Sequence, residues 1–301
     1  MKIIISVFAL PYEIDELDVI VRELKKASHF LKLGYDWTID VTLCTSDDII
    51  DWKRSGLPRS YFVERLHNIS AYADWCRARF RVSDDVLGCV SQRRRSYVTY
   101  PDADYHIWLD TDIVFGSSTL AAMESAIAMF LNDPPPIVLT PEIVRIWDVT
   151  WDCLVNEQYR GMPLNYQRTN DPYIDCGVKG EMSLESVRNS IAGQPRMKFA
   201  GGWFSCLSTT LLRLTGIPES LGHYGYEDTY IMWAAESFNQ SGNYDIKQFK
   251  IRNLVVCENY KYRDNSYLAN HLSIFDRKKE FRDLAEKGFR SELATIRRQL
   301  G

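Results

Sequence analysis

The stretch His106-Ile107-Trp108-Leu109-Asp110-Thr111-Asp112-Ile113-Val114 decides how this chain is read. An apolar run opened by Tyr105 delivers two carboxylates and then returns to apolar residues. Side chains alternate along an extended strand, so positions two apart point the same way. Asp110 and Asp112 are therefore expected to converge at the end of a buried strand. Two carboxylates so placed repel each other unless a cation lies between them, and hard oxygen donors suit a divalent metal. The other reading of the same residues is an acidic turn, solvated or capping the next helix.

Working outward, Lys2 to Ala9 is continuous in β-branched residues, as buried parallel strands are. Leu10-Pro11-Tyr12-Glu13 breaks it. Leu17, Ile20, Val21, Leu24, Ala27 and Leu31 recur at helical spacing, with Gly34 as the stop. Trp37 to Thr45 reads as a second strand ending at Ser46-Asp47-Asp48. This order predicts a right-handed parallel unit. A helix is expected over Tyr61 to Phe80, and another from Asp84-Asp85 through Tyr100, carrying Arg93-Arg94-Arg95. Ser117 or Ser118 caps a helix running to Leu131, and Ile137 to Thr140 is a short strand. Residues 141–198 are aromatic and irregular, either a substrate-facing insertion or packing on the sheet. A helix over Thr209 to Thr215, a second from Glu227 through Phe238, and a hairpin or one long strand over Ile246 to Cys257 follow. Asp276 to Leu300 reads as an amphipathic helix with Phe281, Leu284, Ala285, Leu293 and Ile296 inward.

The 301 residues, 46% apolar, suit one large α/β domain. A net charge of -4 supplies no global basic field for nucleic acid or anionic membrane. Seven scattered cysteines without a Cys-x-x-Cys pair argue against a disulfide framework or a thiolate zinc site. No apolar run reaches the ~18 residues of a transmembrane span, and the one after Met1-Lys2 is too short for a signal peptide. A cytoplasmic protein is the expectation.

Four further groups carry candidate chemistry. In Gly225-Tyr226-Glu227-Asp228 two acids open a helix, where the dipole favours them. They form either a charged first turn or, with Tyr224 and Tyr226 as flat surfaces, a general base beside a sugar acceptor. Ala200-Gly201-Gly202-Trp203 lets backbone amides approach a ligand, or simply makes a tight turn. His271 is a structural residue or a nitrogen ligand. Of the three arginines, at most one or two can face one site. Arg93 by its position is the one for a diphosphate or base, against a solvated face or a nucleic-acid patch.

Taken in order, these residues resemble the GT-A glycosyltransferases. Tyr105 to Asp112 looks like that superfamily's strand-borne Asp-x-Asp motif. Phe199 to Ser205 followed by Gly225-Tyr226-Glu227-Asp228 is similar to the Gly-Gly and Gly-Trp-Gly-x-Glu-Asp blocks of the β-1,4-galactosyltransferase-like group, of bacterial family-2 enzymes and of polypeptide N-acetylgalactosaminyltransferases. Here Tyr226 replaces the usual Trp, and the second Gly is missing. The resemblance implies a Rossmann-like, mostly parallel sheet flanked by helices, with a GT-A domain over 1–275 and a helical tail over 276–301. Within that domain, 1–112 is the nucleotide-sugar half and 113–275 the acceptor half. It implies Mn²⁺ or Mg²⁺ on Asp110, Asp112 and His271. The donor, a UDP-sugar by preference, would meet Ala9, Pro11, Tyr12, Asp47, Arg93, Thr111 and Gly202. Asp228 would act as the base of an inverting transfer, with Glu227, Trp203 and Tyr226 on the acceptor. A saccharide or other hydroxyl-bearing acceptor is expected, and a nucleic acid is the less favoured one.

Three alternatives stay open. A retaining enzyme of the same fold needs no dedicated base. A nucleotidyltransferase would want a Gly-rich basic loop, which Leu10-Pro11-Tyr12-Glu13 is not. A non-enzymatic carbohydrate-binding relative would have lost one of Asp110, Asp112 and Asp228.

Overall fold

The computed structural model describes residues 1–130, 135–146, 166–167, 191–193, 204–258 and 274–300. Strand β1 (Lys2–Ala9) lies between β2 (Asp36–Cys44) and β4 (Tyr105–Leu109), parallel to both, and β3 (Arg77–Ser83) extends the parallel set beyond β2. The sheet continues from β4 through β9 (Phe204–Ser208), β6 (Ile137–Ile146) and β10 (Lys247–Glu258) to β5 (Ile113–Phe115). Strands β1, β2, β3, β4, β6 and β10 run one way and only β9 and β5 oppose them along this path, so the sheet is mostly parallel. Two short strands, β7 (Tyr166–Gln167) and β8 (Ile191–Gly193), pair with β6 and β10. Lys247–Glu258 is thus one long strand rather than a hairpin.

Ile3, Ile4, Ile5 and Val7 are all 0% exposed, which requires cover on both faces of β1. One face packs on α1 (Ile14–Ser28), α3 (Arg59–Ser70) and α5 (Thr119–Ile127), and α2 (Trp52–Ser55) precedes α3. A second core forms around Trp108, with Val90 of α4 (Cys89–Thr99) and apolar residues of α6 (Thr209–Thr215) and α7 (Glu227–Gln240). The terminal helix α8 (Ile274–Leu300) buries Leu293 and Ile296 in this second core and Phe281 in a third cluster with Leu10, Ile49 and Leu87, and its Ala285 is also buried. Leu284, expected inward, is 50% exposed.

Three expectations are corrected. The helix expected over Tyr61 to Phe80 stops at Ser70, and Arg77–Ser83 is the edge strand β3. Its Arg-Ala-Arg-Phe-Arg-Val pattern has the period of a strand, and charged residues suit an edge that must refuse another chain. The next helix begins at Cys89, not at Asp84-Asp85, because Gly88 is its N-cap. The Asp pair does not extend β4, which ends at Leu109. Residues 110–112 form a turn, after which β5 pairs antiparallel with the end of β10.

Candidate active site

The strand order reverses between β1 and β4: β1 leads to β2 and β3 on one side, and the chain then returns to place β4 on the other. At such a switch point the loops after the two strands part and leave a crevice at their C-terminal ends. Here that crevice is a cleft of about 640 Å³, open solvent included. Phe8, Leu10 and Tyr12 line it from β1 and its loop, and Asp110, Thr111 and Asp112 from the turn after β4. Both acids therefore meet one space, although the turn, not strand alternation, puts them there. Asp112 and Thr111 are buried, while Asp110 keeps about a third of its side chain exposed (32%). Glu13 Oε2 accepts from the Leu10 amide at 2.8 Å, which fixes the loop carrying Tyr12.

Behind the turn stands Arg93 of α4, 5% exposed. Its Nη2 donates to Asp110 Oδ1 at 2.7 Å, its Nη1 donates to Glu227 Oε1, and its guanidinium lies 5.0 Å from the Trp108 ring. Cys89 Sγ also reaches Glu227 Oε1, at 3.9 Å. Arg94 donates to the carbonyls of Ile217 and Pro218 at 2.8 and 2.5 Å, and Arg95 pairs with Asp85. The three arginines thus diverge, each to its own acidic or carbonyl partner.

Those Arg94 bonds, with the Val90 amide donating to the His223 carbonyl at 3.1 Å, bind the loop before α7 to α4. The contact is close: a Cβ on Gly88 would overlap the His223 carbonyl. The loop then turns sharply, Gly225 at φ +87° and Tyr226 at φ +68°. For a non-glycine residue that conformation costs roughly 1–2 kcal/mol. The Tyr226 ring rests 5.4 Å from Phe289 of α8, and the turn aims Glu227, 3% exposed, at Arg93. Asp228 is half-buried, and its Oδ1 accepts from the Thr229 amide and hydroxyl at 2.5 and 3.2 Å. Neither Glu227 nor Asp228 is among the residues lining the cleft.

The remaining candidates scatter. Ala9 and Pro11 are buried under the β1 loop and Asp47 is exposed beyond β2. Gly202, Trp203 and His271 lie outside the described residues. Tyr224, expected as a flat surface, does line the cleft, and beside Phe8 and Leu10 it is joined by Ile49, Leu87 and Phe281, whose place at the site escaped sequence reading. Apolar side chains at loop ends carry no signature of their own. Phe281 shows that the terminal helix reaches the site.

Two carboxylates on one cleft are the hard donors that Mn²⁺ or Mg²⁺ takes, so the residues present fit such an ion. Among the described residues no group of three or more His, Cys, Asp and Glu completes a cation site. His106, four residues before Asp110, is no substitute. It is 1% exposed within β4, 5.9 Å from Tyr97, and burial pulls its pKa down to about 4.

No protein-family model and no curated protein matches the chain. Among solved structures it is similar to S. aureus TarS 1-349, at 14% identity and a TM-score of 0.49, covering 97% of this chain and 72% of that one. It is also similar to GalNAc-T7 with UDP, GalNAc and Mn2+, at 13% identity and a TM-score of 0.41, covering 85% and 50%. UDP-glucose pyrophosphorylase complexed with UDP-glucose gives 8% identity and a TM-score of 0.38, covering 97% and 99%.

Proposed function

We propose that this protein is a metal-dependent glycosyltransferase that moves a sugar from a nucleoside-diphosphate sugar, UDP-linked by preference, to an acceptor hydroxyl. One observation carries the reading: Asp110 and Asp112 line the switch-point cleft, and Asp110 is tied through Arg93 to the Glu-Asp pair that opens α7. Open α/β sheets bind nucleotides at such a crevice.

In this reading Tyr12 offers a flat face to the base or ribose, and Asp110 and Asp112 hold Mn²⁺ or Mg²⁺, with His271 as the third ligand. An ion held there would supply positive charge against the charge that builds on a departing diphosphate. The bond from the sugar's anomeric carbon to the diphosphate oxygen breaks as the acceptor oxygen bonds to that carbon. Asp228 takes the acceptor proton, and attack from the face opposite the departing diphosphate inverts the anomeric centre. Glu227 holds the helix start through Arg93 and Trp203 faces the acceptor, while the Tyr226 ring, packed on Phe289, braces the turn instead of meeting the acceptor. A retaining course, with the leaving phosphate oxygen taking the proton, gains support from one feature. Asp228 bonds to its own helix and does not line the cleft.

Incubation with a panel of nucleotide sugars and Mn²⁺, with nucleoside diphosphate release as readout, tests the proposal. Metal-dependent release from at least one donor is expected, and the product anomer read by NMR decides between inversion and retention. Release of pyrophosphate from nucleoside triphosphates instead would make the chain a nucleotidyltransferase. Absence of both release and thermal shift with every nucleotide sugar sinks the proposal.

A further inference from the structure

Arg93 is a buried cation shared between two carboxylates that come from distant parts of the chain. Asp110 lies 17 positions away and Glu227 134, yet one guanidinium bonds to both. Arg93 is 5% exposed and Glu227 3%, so neither charge is screened by bulk water, and each depends on its partners for compensation. The planar fork matters, because it presents separate N–H groups in two directions at once, which a lysine ammonium on its single point cannot reproduce. The Trp108 ring at 5.0 Å closes another side of the guanidinium. Arg93 itself is absent from the cleft lining, which places it behind the acids and out of the donor's path.

From this arrangement we infer that Arg93 is a positioning residue with two effects: it sets the start of α7 against the Asp110–Asp112 turn, and it competes with a bound cation for Asp110 Oδ1. The inference rests on the proposed reading of the Asp pair as the cation site. It departs from the expectation that Arg93 touches the diphosphate. Its two effects have opposite signs. Removing the guanidinium releases Asp110 to a metal ion, so metal affinity rises. The same change unpins Glu227 and the helix start behind it, so turnover falls. A residue that merely supports folding would lower both together, and a donor ligand would raise the donor KM.

The test is Arg93→Met, with the Mn²⁺ Kd followed by EPR of the free ion and kcat and KM measured for the best donor. Expected are a Kd roughly tenfold tighter, the scale of one charge-assisted bond, and a kcat about 100-fold lower at a donor KM within about threefold of the parent. Weaker Mn²⁺ binding, or a raised KM at unchanged kcat, overturns the inference. If Arg93→Met does not fold, Arg93→Lys replaces it as the deciding variant. The charge is retained, so the Kd stays within about threefold while kcat still falls about tenfold, and a parental kcat overturns the inference. If no nucleotide sugar turns over but Arg93→Met still tightens Mn²⁺, the proposed transfer fails while the competition for Asp110 stands.

Discussion

The two ends of the parallel strands each carry a hollow, and carboxylates line both. At the C-terminal ends the cleft of about 640 Å³ receives Asp110 and Asp112. At the other end a hollow of about 780 Å³, measured with the same open solvent, is lined by Trp37, Trp75, Tyr35 and Glu124. Glu124 is 1% exposed, and its Oε2 accepts from the amides of Lys32 and Leu33 at 2.8 and 3.2 Å. It holds the connection from α1 into β2. Asp36 likewise pairs with Arg77 at 3.3 Å across the neighbouring strand. What separates the two hollows is the partner and the exposure: Glu124 is buried on the chain's own amides, whereas Asp110 bonds to Arg93 and still keeps about a third of its side chain exposed at the cleft.

The largest effect that sharpens this contrast is expected at Asp112. Asp112→Asn keeps the shape of the turn and removes one donor charge, and metal-dependent turnover should fall about 1000-fold, equivalent to about 4 kcal/mol of barrier. The melting temperature should move by only a few degrees. Retention of full metal-dependent turnover would show that the cleft's acids do not bind the ion.

Next in size is a pH effect from the buried strand between the two ends. His106 keeps a folded pKa of about 4 against an ordinary 6.5, so the unfolded chain binds more protons between those values. Stability is then fully present above about pH 6.5 and is lost as pH falls toward 4, by about 3 kcal/mol. Urea unfolding at a series of pH values measures this, and His106→Phe should flatten the curve over that window. An unchanged slope in the variant would assign the acid lability to other groups.

The smallest effect belongs to the structural hollow. Glu124→Ala deprives two backbone amides of their acceptor, which should cost about 1–3 kcal/mol of stability. At a temperature where the variant is folded, kcat and donor KM should match the parent. A selective loss of turnover there would break the contrast.

Much of the architecture was legible in the pattern of residues. Continuous β-branched runs marked β1 and β2, and helical spacing marked α1 and α8. Both rest on short-range periodicity, which burial on one or two faces imposes. The reading failed at Arg77–Ser83, where helical spacing ran on through Cys76 into a strand whose alternation is charged rather than polar. At the site, Asp110 and Asp112 stood out because paired acids after an apolar run are costly unless used. Ile49, Leu87 and Phe281 did not, because an apolar side chain at the cleft has the same composition as one in the core.

What the sequence determined by itself is the set of chemical groups and the elements that carry them: the acid pair after a buried strand, the Glu-Asp pair at a helix start, and the arginine run on α4. Local periodicity and charge are properties of neighbours in the chain, so they can be read there. Only the tertiary structure decided which groups meet. Arg93 joins Asp110 to Glu227 because β4, α4 and the tight turn before α7 converge behind one switch point. A contact across 134 residues leaves no trace in local pattern, since it is packing, not spacing, that pays its entropy of closure.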